Sequence, residues 1–216
     1  MATKQMLVKI TEESIRELVS VFKQNPHLFY TESDLHYYLY AKILEKLPMK
    51  EWMCKTTEGQ TSLLLHKEYP TKNRYSRKLL KKGLEKGSRG HFDLVIWNPE
   101  QVEKRYIRTC SGNFSDEQCT FIAVEFDLKG GNATLDAFHH FKWDLLKLRD
   151  EKNEVEHGYL LLFVRNWIWK DKFLEKARSE VAKEKEVVVL YAEEDKNQRR
   201  IETLSFKQFE HGCSHK

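Results

Sequence analysis

No stretch of the chain approaches the ~20 consecutive apolar residues that a membrane-spanning helix requires, which argues against an integral helical membrane protein. The opening MATKQMLVKI has no secretory apolar core, so a cytoplasmic location is the expectation. Cysteine is scarce. Four residues (Cys54, Cys110, Cys119 and Cys213) without a leader segment are expected to be reduced thiols, not a disulfide framework. There is no glycine-rich phosphate loop, since the KGG at 129–131 lacks the spacing of a P-loop or a dinucleotide fingerprint. The chain has no internal repeat and no low-complexity linker, and with 37 basic against 33 acidic residues its net charge of +4 commits it to no partner.

What is present is a 216-residue chain, 40% hydrophobic and 32% charged, which fits one domain over residues 1–216 with a polar surface. Helical periodicity is expected over 11–24, with Thr11 as N-cap and Ile15, Leu18, Val19 and Phe22 as its buried stripe, completing an N-terminal helical segment within 1–30. A second helix opens at Thr31, whose TESD resembles a capping box with Asp34 in place of Glu, and runs to about Leu47. Residues 61–69 read as a strand stopped by Pro70, 91–97 as a second strand and 121–128 as a third. Residues 99–120 are read as an inserted hairpin or loop, in which Cys110 and Cys119 have the option of pairing or ligating. A helix follows over 134–149, then the continuous apolar run YLLLFV at 159–164, of the kind a buried parallel strand needs. A charged helix at 171–185, a buried strand at 187–192 and an edge strand near 201–209 complete the order.

Two strands carry acids where acids are costly. In FIAVEFDLKGG, residues 121–131, Glu125, Asp127 and Lys129 recur every second residue and so project from one strand face. Asp93 sits inside the apolar run HFDLVI. An unpaired buried carboxylate is unfavourable, so paired acids on neighbouring strands suggest a shared metal, with structural ion pairs as the competing reading. Between Lys72 and Arg89 eight basic residues, among them Arg74, Arg77, Lys78, Lys81, Lys82 and Arg89, face a single acid, Glu85. Such a cluster suits phosphate neutralisation, or is a solvated face. His139 and His140 are adjacent and cannot chelate one ion from one helix face, and His211, Cys213 and His215 are read as a frayed tail.

The order of elements, with Asp93 on the second strand and EFDLK on the third, resembles the PD-(D/E)XK nuclease superfamily across roughly residues 31–165. The resemblance implies an α/β, restriction-endonuclease-like mixed central sheet flanked by helices: a three-stranded antiparallel meander, then a helix and a parallel strand. It implies Asp93 as the first acid, and two registers for the second. In one, Glu125 is the acid, Asp127 occupies the lysine position and Lys129 serves from the same face; in the other, Asp127, Leu128 and Lys129 form the D-x-K. It further implies a helix acid at Glu32 and an acid at Glu68 in KEYP, with Asp93, Glu125 and Asp127 binding Mg²⁺ or Mn²⁺ and DNA as the partner. Basic residues of the following helix, His140, Lys142 or Lys147, are candidates for phosphate contact, against a reading of that helix as a surface helix. The alternative to a DNA endonuclease is a catalytically inactive nucleic-acid-binding or complex-forming relative. Trp167 and Trp169 are the candidates for a protein interface, with a homodimer or another protein as partner.

Overall fold

The computed structural model describes residues 1–57, 59–75, 88–103, 119–130, 137–165, 170–181, 187–194 and 201–203. Helix α1, Lys4–Gln24, starts earlier than its apolar stripe suggests, because Thr3 caps it by accepting from the Met6 amide. Thr11 therefore lies inside the helix, buried, its hydroxyl donating to the Leu7 carbonyl. A 3-10 turn at Pro26–Leu28 leads to α2, Glu32–Glu45, which has the expected capping box: Thr31 accepts from the Asp34 amide, and the Asp34 carboxylate accepts from the Thr31 amide. Helix α3, Met49–Trp52, and a small antiparallel pair, β1 Met53–Lys55 with β2 Thr61–Leu63, follow.

The main sheet has six strands in the order β3-β4-β5-β6-β7-β8. Strand β3 is Leu65–Tyr75, β4 Ser88–Trp97, β5 Thr120–Gly130, β6 His157–Arg165, β7 Val187–Glu194 and β8 Ile201–Thr203. The pairs β3/β4 and β4/β5 are antiparallel, β5/β6 and β6/β7 parallel, and β8 closes the far edge antiparallel to β7. Pro70 does not stop β3. That strand forms an edge of the sheet, where proline's missing N–H is tolerated, and it continues past Pro70 with a register shift before Arg74.

Helix α4, Ala137–Arg149, crosses from β5 to β6, and α5, Lys170–Val181, from β6 to β7. Side-chain contacts assign the layers. Phe22 of α1 meets Phe163 of β6 at 4.8 Å between centroids, whereas Phe141 of α4 packs on Phe173 of α5 at 5.5 Å. A Cβ on Gly158 of β6 would lie 3.3 Å from Leu148 Cβ, so glycine permits the close approach of α4 to the sheet. Phe163 and Gly158 differ in parity along β6, hence α1 with α2 covers one face and α4 with α5 the other. Among the described residues no helix is long and apolar enough to cross a membrane.

Candidate metal and phosphate site at a fork in the sheet

Strands β4 and β5 stay paired from Trp97 down to Leu94, opposite Val124, and then separate, while β5 remains paired with β6 as far as Gly130. Beyond the separation, the β5 amides that would have faced β4 need other acceptors. Two carboxylates supply them. Asp93 Oδ2 accepts from the Phe126 amide at 2.8 Å, and Glu32 Oε2, from the first turn of α2, accepts from the Leu128 amide at 3.3 Å. The fork is thus held open by side chains, and Asp93 lies in its crotch.

On the α4 face, Glu125 is buried and its Oε1 lies 2.6 Å from Lys147 Nζ. Lys147 also meets Asp144 Oδ1 at 2.9 Å and donates to the His91 carbonyl at 3.0 Å. Asn153 anchors that end of α4, donating to the Lys147 carbonyl and accepting from the Lys72 amide of β3. Further along β5, Asp127 is buried and ion-paired with Lys129, while its Oδ2 has no hydrogen-bond partner among the described residues.

On the α2 face, His36 is buried with its ring 4.6 Å from that of Phe126, and its Nε2 has no hydrogen-bond partner among the described residues. That nitrogen is 3.5 Å from Asp93 Oδ2 and 4.0 Å from Glu32 Oε1. One ligand atom from each of Glu32, His36 and Asp93 falls within 4.8 Å of the others.

The electrostatics follow from crowding. Burial raises Asp93 to about 6, with Asp144 adding to the rise and Lys147 and the Phe126 amide opposing it. Burial, then Asp93 and Asp127, push Glu32 up to about 7. Burial likewise raises Asp127 to about 6 against the pull of Lys129. Glu125 and Asp144 are raised by burial too, and although burial works to lower Lys147, Glu125 and Asp144 hold its ammonium above the ordinary range. His36 is depressed to about 4, first by burial and then by Lys67, and stays neutral.

Of the residues expected from sequence, Asp93, Glu125, Asp127, Lys129 and Glu32 surround the fork. Glu68 does not join them. It stands across from Asp93 on β3, but its backbone takes a left-handed φ of 51° and its side chain is exposed. Arg74 and Arg89 are backbone register partners at the far end of the β3/β4 ladder, whereas Arg77, Lys78, Lys81 and Lys82 lie outside the described residues, as do most of the 99–120 insertion, Trp167 and Trp169. Lys147 is a correction to the surface-helix reading of α4: its ammonium is sequestered among acids. His36 escaped sequence reasoning, although a signal existed, since Glu32 and His36 are spaced i, i+4 on one helix face.

A divalent cation suits this donor set. Five carboxylates (Glu32, Asp93, Glu125, Asp127 and Asp144) face two ammonium groups among the described residues, and a buried excess of negative charge calls for a counter-charge. No family model, no curated protein and no solved structure matches the chain.

Proposed function

We propose that this protein is a metal-dependent nuclease of the restriction-endonuclease-like fold, hydrolysing phosphodiester bonds in DNA. The single observation that carries the reading is the fork, where Asp93 and Glu32 replace strand pairing and Glu125 and Asp127 sit buried beside them. The meander, helix and parallel strand around it support the same reading.

Mg²⁺ or Mn²⁺ would be held by Asp93 with its neighbouring carboxylates, with Glu125 and Asp127 as the partners expected from sequence. Once bound, such an ion supplies a water of lowered pKa and neutralises charge on the phosphoryl oxygens. The chain's own part begins with the two β5 amides, which fix Asp93 and Glu32 before substrate arrives. Lys147, held by Glu125, Asp144 and the His91 carbonyl, presents a protonated amine beside the acids, suited to steadying charge on the phosphorane. The basic stretch between Lys72 and Arg89 has its first residues on β3 and its last on β4, the strand that forms one side of the fork, and suits the DNA backbone.

The test is cleavage of supercoiled plasmid and linear DNA with Mg²⁺ or Mn²⁺. The expected result is metal-dependent cutting that is abolished by Asp93→Ala with Glu125→Ala and reduced about 10²- to 10³-fold by Lys147→Met. Cutting that is unchanged in the double variant would refute the assignment. A second reading, a non-cleaving DNA-binding relative, is favoured by one observation: Asp127 pairs with Lys129, and in the register with Glu125 as the second acid Asp127 stands where the lysine is expected. It predicts salt-sensitive DNA binding without cleavage under any of these ions.

A further inference from the structure

Asp93 has two sets of neighbours with which to share an ion: Glu125 on the α4 face, or Glu32 and His36 on the α2 face. We infer that the ion sits on the α2 side, coordinated by Glu32, His36 and Asp93, and that it is a first-row transition ion that accepts imidazole, such as Mn²⁺, in preference to Mg²⁺. This rests on the nuclease reading and names the ion that its site takes.

Glu125 is a poor first choice because its carboxylate already has a cation at 2.6 Å, and taking the ion through that oxygen would mean breaking the buried contact with Lys147. His36 has no such engagement. Its Nε2 is a buried nitrogen without a hydrogen-bond partner among the described residues, and it points at two carboxylates. Leaving such a nitrogen unsatisfied is costly unless something occupies the space in front of it.

The separations are those of an incipient coordination set. Donors each ~2.1 Å from one ion lie about 3.0 Å apart in an octahedron and about 3.4 Å apart in a tetrahedron. His36 Nε2 to Asp93 Oδ2 is 3.5 Å, and Nε2 to Glu32 Oε1 is 4.0 Å. The wider separation is on the side of Glu32, whose side chain is 44% exposed and whose Oε1 is not the oxygen that accepts from the Leu128 amide. The other two are fixed from behind, Asp93 by the Phe126 amide and the His36 ring by the Phe126 ring. An imidazole in the set discriminates by ligand type, since Mg²⁺ favours oxygen and keeps its waters whereas first-row transition ions, Mn²⁺ included, accept nitrogen more readily.

The experiment is pulsed electron paramagnetic resonance of Mn²⁺ bound to the whole protein, with unlabelled and with ¹⁵N-histidine-labelled chains, alongside Mn²⁺ and Mg²⁺ titrations by calorimetry. The expected result is nitrogen coupling from a directly bound imidazole that changes on histidine labelling and disappears in His36→Gln, with Mn²⁺ affinity falling roughly tenfold or more and Mg²⁺ affinity much less. Should His36→Gln fail to fold, the labelled wild-type spectrum and Glu32→Gln, expected to weaken Mn²⁺ binding, still decide. Mn²⁺ bound through Asp93 without histidine coupling, or coupling that survives in His36→Gln, would overturn this inference while leaving the nuclease reading intact. Absence of any Mn²⁺ or Mg²⁺ binding would overturn both.

Discussion

Burial holds the Asp93 carboxyl above the usual carboxylate range, a cost that a merely structural residue would not need. Its carboxylate has one backbone amide, yet burial, with Asp144 adding to it, raises it to about 6. For a carboxyl raised on folding, the native state holds a proton that the unfolded chain has released. Stability is therefore lost as pH climbs from about 4 to about 6, and the cost is complete above that range. Asparagine keeps an oxygen for the Phe126 amide but has no charge to bury. In chelator, Asp93→Asn is expected to be more stable than wild type at about pH 8, by something of the order of 1–3 kcal/mol, and equal to it near pH 4. Urea unfolding at the two pH values measures this; a variant less stable than wild type at the higher pH would mean that the charge is structurally useful. A substitution that stabilises the fold while removing metal binding marks a residue kept for function.

At the scale of elements, α2 sets the α2 side of the site through its first two turns. The Thr31 and Asp34 box fixes where the helix begins, which puts Glu32 against the Leu128 amide and His36 one turn on against Phe126. Thr31→Ala is expected to cost about 1 kcal/mol of stability and to weaken Mn²⁺ binding, measured by denaturation and calorimetry on the same preparation; intact metal affinity would show that the cap has no part in placing Glu32. This start was legible in the TESD pattern, as were the period-two acids of β5 and the acid inside β4, because both signals are local. Lys147 was legible only as one of three candidate phosphate contacts on its helix, and His36 was not legible as a site residue at all. Whether a charged residue on a helix is solvated or sequestered depends on what the opposing sheet face carries, and Lys147 is drawn in by Glu125, distant in sequence. Pro70 misled for a related reason: only the sheet order shows that β3 is an edge strand. Thr11 misled because an N-cap residue type also serves inside a helix when its hydroxyl bonds back to a carbonyl, here that of Leu7.

At the scale of the whole molecule, two helical layers clamp one mixed sheet, and the fork is where both reach the same carboxylate. From α4, Lys147 lowers the cost of charge on Asp93 and Glu125, and from α2, Glu32 and His36 approach Asp93 through the opening between β4 and β5. On the reading proposed above, this opening seats a divalent ion on Asp93. Anomalous scattering from a crystal of the full chain soaked in Mn²⁺ tests it most directly. The expected result is a peak about 2.2 Å from an Asp93 carboxylate oxygen. A Mn²⁺ site elsewhere, or no peak with the fork residues ordered, would contradict it.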